Sequence, residues 1–223
     1  MSVIGEQAVY RPGLPDRPPR MAKLILDSRG FPVPWFVALI DGVPDFRVIR
    51  ENGIAYAHNY GICWLCGEPL GRYGAFVIGP MCGINRVNSE PPSHRDCAEY
   101  AVRACPFMTK PRMVRNERGL DESVKPAGVG LRRNPGVVLL WVTKSWKPFR
   151  VDNGVLFRLG EPTDIAFYAC GRKATREEID ASIASGLPLL EEPAHAEGPD
   201  AVKALARMKA DFDQRLPARE CAS

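Results

Sequence analysis

Apolar residues along this chain fall in short runs broken by Gly and Pro, a pattern that predicts many short strands and few long helices. Trp35-Phe-Val-Ala-Leu-Ile40 is β-prone and reads as a largely buried strand. Asp41-Gly42 supplies a tight turn and Phe46 to Ile49 a return strand, so residues 31–50 form a β-hairpin. Glu51 to Asn59 reads as a short helix. Gly74 to Ile78, Gly136 to Val142 and Val155 to Leu159 read as further strands, the first ended by Gly79-Pro80.

Helical spacing enters after Pro91-Pro92. Ser93 is the expected N-cap, because its hydroxyl can accept early backbone N–H groups. Ala98, Ala101, Val102 and Cys105 then fall on one face, and Pro106 ends the helix. Thr163 is placed to cap a short helix ending at Gly171. Thr175-x-x-Glu178 is a capping box with Gly186 as the stop. Asp200 opens a last helix whose Val202, Leu205, Met208, Phe212 and Leu216 form an apolar stripe that docks on the core. At the other end, Tyr10 to Arg20 carries four prolines and favours an extended polyproline arm. Its Pro12-x-x-Pro15-x-Arg17 matches a minimal recognition pattern, but an arm lying over the protein's own surface is the simpler role.

Composition changes this picture little: 45% hydrophobic and 25% charged residues in 223 is an ordinary globular balance, and the 21 Pro and 20 Gly explain the short elements. No secretory h-region is seen near Met1, and the longest apolar runs are strand-sized, so a cytoplasmic protein with no membrane partner is expected. Seven cysteines in a reducing compartment favour metal over disulfides. Charge is uneven. Residues 101–150 hold 11 Lys/Arg against 3 Asp/Glu, whereas residues 175–223 hold 6 against 10. The basic stretch can meet phosphates, or be answered by the acidic tail of the same chain.

The sharpest chemistry is Cys63-x2-Cys66 followed by His94-x2-Cys97. A Cys-x2-Cys turn points two sulfurs to one side, and Gly67 directly after it suits the backbone of a metal knuckle. His94 and Cys97, three apart at the start of the expected helix, share a face, and the helix N-terminus favours thiolate. Four soft or borderline donors make a closed tetrahedral Zn2+ site, structural rather than catalytic. Cys82 and Cys105 lie in the same unit and are alternates, most readily for His94, or else small buried hydrophobes. Cys170 and Cys221 have no partner in sequence and are expected to be structural or inert.

Knuckle, hairpin and ligand-bearing helix resemble the treble-clef zinc fingers over about a fifth of the chain, which implies a fold for residues 63–105 and a zinc ion, not an activity. The string CWLCGEPLG…FVIGPMCGINR…EPPSHRDCA…CPFM is also similar to a family of uncharacterised bacterial and phage proteins, a resemblance that implies no function.

These readings give an α+β chain: short antiparallel strands around an embedded treble-clef-like zinc site, with helices in the C-terminal third. Residues 1–20 form the Pro-rich arm, 21–107 the hairpin and zinc-binding unit, 108–134 a basic loop, and 135–223 strands and C-terminal helices. Residues 21–223 form one domain if strands on both sides of the loop join one sheet. Three function classes follow. In the first, a zinc-stabilised binding protein contacts DNA or RNA through its basic 103–150 segment. Arg112, Arg115, Arg118, Arg132, Arg133, Lys144 and Lys147 would meet phosphates there, and an aromatic among Trp141, Trp146 and Phe149 would stack on unpaired bases, though Trp141 fits the core better. In the second, the zinc is purely structural and the protein binds another protein. The third, ranked last, is a metal-dependent nuclease or hydrolase. It needs a base near the metal, for which His58 is the sole candidate once His94 is a ligand; His195 falls in a Pro/Glu/Gly-rich linker. Walker-type, dinucleotide-binding, HExxH and GxSxG motifs are absent.

Overall fold

A computed structural model describes residues 8–111, 113–120, 127 and 133–219. Its architecture is α+β, with antiparallel sheets and most of the helical residues toward the C-terminus.

The central sheet has the order β3 (Gly74–Ile78), β5 (Val138–Thr143), β8 (Pro162–Ala169) and β9 (Arg172–Lys173). β5 is buried along its whole length, which accounts for its unbroken apolar sequence: both faces of the sheet are covered. With a period of two, Val138, Leu140 and Val142 face α3 (Arg95–Ala104), packing with its Ala98 and Val102. Leu139 and Trp141 face the other way, into a core shared with Phe76, Phe157, Phe167, Ile179, Leu205 and Phe212. That second layer comprises α2 (Pro80–Asn85), α5 (Arg176–Gly186), α6 (Pro188–Glu197), α7 (Pro199–Asp213) and a three-stranded sheet. The order in this sheet is β4 (Val87–Asn88), β7 (Gly154–Leu159) and β6 (Trp146–Val151).

Several elements match their sequence signals. Thr175 and Glu178 make the full capping box of α5. Asp41 and Gly42 both adopt positive φ in the turn between β1 (Val37–Ile40) and β2 (Val43–Ile49). The apolar stripe of α7 docks through Leu205 and Phe212. The Pro-rich arm lies on the chain itself. Tyr10 hydroxyl is 2.9 Å from that of Tyr100, Arg17 sits over the Tyr10 ring, and Met21 just after the arm is buried among Cys63, Cys66 and Cys97.

Other expectations are corrected. Residues 163–171 are not a helix but most of β8, because Ile165 and Phe167 pair with Trp141 and Leu139 and complete the apolar face. The Thr163 hydroxyl donates to the Val142 carbonyl instead of capping. The hairpin strand is not largely buried: Leu39, Ile40, Val43 and Phe46 all stand out into solvent. Residues 146–151, read as part of a basic segment, form β6. α2 follows Gly79 with Pro80 in its first turn, although its short sequence had no periodic signal. His195 is exposed on α6, not in a linker. Ser93 is a buried bridge residue opposite Ala75, and His94 takes the N-cap position of α3 without a side-chain cap bond.

Candidate metal centre

Residues 61–70 fold back on themselves as a knuckle. Ile62 bridges Pro69, Cys63 N–H donates to Glu68 O at 2.8 Å, and Gly67 N–H donates to Cys63 O at 2.9 Å. Gly67 has φ +74°, and a β-carbon there would fall 2.4 Å from Trp35 Cδ1, so turn and packing both require glycine. Two links hold the segment that carries His94 and Cys97, one from the knuckle and one from β3. Trp64 N–H donates to Pro92 O at 3.1 Å, and Ser93 and Ala75 exchange two 2.8 Å backbone hydrogen bonds along the edge of the central sheet. α3 therefore starts where β3 holds it, with Cys97 in its first turn.

The result is convergence. The donor atoms of Cys63, Cys66, His94 and Cys97 all lie within 4.8 Å of one another. Cys66 Sγ is 3.4 Å and Cys97 Sγ 4.0 Å from His94 Nδ1. For comparison, the edge of a tetrahedron with metal–sulfur bonds near 2.3 Å is about 3.8 Å. All three cysteines are buried, while the His94 ring reaches the surface. Cys63 Sγ accepts N–H groups from Cys66 at 3.4 Å and His94 at 3.3 Å.

Electrostatics favour a cation here. Hydrogen bonds from the Cys66 and Cys97 thiols, and then from the backbone, hold the Cys63 thiol far below its ordinary range. The hydrogen bond between Cys66 and Cys63, together with burial, pushes Cys66 up to about 11, and Cys97 is raised further by both neighbours. Sulfurs this close repel one another as thiolates, and a cation among them would offset that repulsion. The donor set of three sulfurs and one imidazole fits a divalent ion of borderline softness.

The alternates stand apart. Neither Cys82 nor Cys105 joins the cluster found among the described residues. Burial pushes Cys82 up to about 11 and also raises Cys105, whose sulfur accepts backbone N–H groups of α4 (Pro106–Thr109). Cys170 is an exposed turn residue, and Cys221 lies outside the described residues. His58, on α1 (Gly53–Asn59), turns its ring toward Phe157 at 5.6 Å and is not among the converging donors.

The seven basic candidates do not share one element. Arg112 and Arg132 lie outside the described residues. Arg115 is partly buried and donates to Arg47 O at 2.6 Å. Arg118 is exposed, and its carbonyl accepts from Arg47 at 2.9 Å. Arg133 is exposed beside Val114, Lys144 sits over the Tyr73 ring, and Lys147 projects from β6. Trp141 is fully buried, as its strand predicts, and Trp146 packs its ring edge-on against Phe76. Arg158, opposite Lys147, was missed. Asn153-Gly154 between two β-prone runs was the hairpin signal that could have found it.

No family model, curated protein or solved structure matches the chain. Among the described residues, no helix is long and apolar enough to cross a membrane.

Proposed function

We propose that this is a zinc-stabilised binding protein, built on a treble-clef-like unit over residues 63–105, whose metal is structural and whose basic 103–150 segment contacts nucleic acid. The observation that carries the metal part is the closed set: four protein donors converge, three of them buried sulfurs, leaving no open position for substrate water. Zinc is the ion this donor set suits best, and a reducing compartment such as the cytoplasm keeps its thiolates available. The nucleic-acid part is supported by exposed Lys144 and Lys147 beside the partly exposed aromatics Trp146 and Phe149. Elemental analysis of purified protein, expected to give about one zinc per chain, tests the first part. A salt titration of binding to mixed-sequence DNA and RNA tests the second, and absence of binding at low salt removes it.

A second reading, a protein-interaction factor, is favoured by one feature. The β1–β2 hairpin presents Leu39, Ile40, Val43 and Phe46 to solvent, with Leu39 and Ile40 each 50% exposed. Crosslinking and co-purification from the native host distinguish it: a partner captured through the hairpin and lost in Val43→Asp supports this reading.

A further inference from the structure

We propose that the outer face of the β6–β7 hairpin is the polynucleotide-binding surface, and that its ligand is single-stranded. This rests on the nucleic-acid reading above and gives it a place and a substrate class. The hairpin pairs Lys147 with Arg158 and Phe149 with Leu156, so these four side chains share one face. The opposite face of β7 is spoken for: Phe157 and Leu159 are buried in the main core.

The chosen face is electrostatically unusual. Lys147 and Arg158 are like charges directly across a strand pair, an arrangement that costs stability within the fold. Both are exposed, and neither has a carboxylate ion partner among the described residues. A polyanion offsets that repulsion by placing phosphates between them. The Arg158 guanidinium also lies over the Phe149 ring, 5.4 Å from its centroid. A guanidinium plane supported from below by an aromatic ring is a platform on which an unpaired base can continue the stack. A duplex hides its base faces, whereas a stacking platform of this kind needs an unpaired base to meet it. The arrangement therefore fits single strands, DNA or RNA alike.

The test is fluorescence anisotropy of a labelled mixed-sequence single strand and of the same sequence as a duplex, across a salt series, with full-length metal-loaded protein. Wild type is expected to bind the single strand more tightly. The Lys147→Glu/Arg158→Glu variant is expected to lose roughly tenfold or more at low salt and to flatten the log–log salt slope by about 1.4, for two lost phosphate contacts. Lys203→Glu, on the exposed side of α7, should bind as wild type does. Zinc content and circular dichroism establish that each variant is folded. Unchanged affinity in the double variant, or equal affinity for the duplex, overturns this inference while leaving the nucleic-acid reading standing; no binding by wild type overturns both.

Discussion

His94 Nε2 lies 3.0 Å from the carbonyl oxygen of Pro69, while its Nδ1 faces the cysteine sulfurs. A carbonyl can only accept, so in the neutral ring the tautomer that satisfies Pro69 carries its proton on Nε2 and turns the Nδ1 lone pair toward the sulfurs, the arrangement an ion held by these four donors would need. The knuckle that carries Cys63 and Cys66 thus also orients the His94 imidazole.

Loss of one ligand should release the ion and loosen the unit around it. Cys63→Ser and Cys97→Ser are expected to reduce bound metal well below one per chain, and to lower the melting temperature by about 10 °C or more. Elemental analysis and calorimetry read both effects. A metal-free wild type with a sharp, unchanged transition would contradict the central assignment.

Met21 stitches the start of the chain to this unit. It is 2% exposed and packs in the cluster that contains Cys63, Cys66 and Cys97. Met21→Ala should cost about 2–4 kcal/mol by denaturant unfolding and speed metal transfer to a chelator. Equal chelation rates in the two proteins would show that the packing does not guard the site.

The far layer of the core depends on a close approach between α2 and α7. A β-carbon at Gly83 would lie 2.6 Å from Phe212 Cε2, and Phe212 is 1% exposed. Gly83→Ala is therefore expected to destabilise by about 1–3 kcal/mol through overpacking, despite the better helix propensity of alanine. Stabilisation by Gly83→Ala would mean that Phe212 shifts at little cost.

Glu90 should leave a mark on the pH dependence of stability. Burial raises its carboxyl above the ordinary range. Arg115 and the Trp64 indole N–H, which faces it without a formed hydrogen bond, offset only part of the rise. Some solvent still reaches the residue, so the effect is smaller than complete enclosure would give. A carboxyl raised in the folded state favours folding at low pH, and that advantage is lost as pH rises through the folded value. Glu90→Gln is expected to be more stable than wild type at pH 8, with the gap narrowing toward pH 4. Urea unfolding at both pH values would expose a pH-independent difference, the outcome that counts against this assignment.

Much of the site was legible because its chemistry is local. The Cys63/Cys66 and His94/Cys97 spacings each set two donors on one turn, whatever surrounds them. The capping box at Thr175 and Glu178 has the same character. Ser93 was misread because a serine before a helix has two options, and pairing with Ala75 in the sheet edge claimed its backbone. The segment 163–171 was misread because a threonine cap signal is weak beside a strand that completes a buried face.

The sequence by itself determined the two Cys/His pairs, the strand character of 74–78 and 155–159, and the amphipathic last helix, since each depends on contacts within a few residues. Tertiary structure decided which cysteines converge, that the basic segment is split between the β2 flank and β6, that Arg158 stands opposite Lys147, and that the first hairpin is exposed. Those outcomes depend on which distant element covers each face. Burial of a strand face is a property of its neighbour as much as of its own residues.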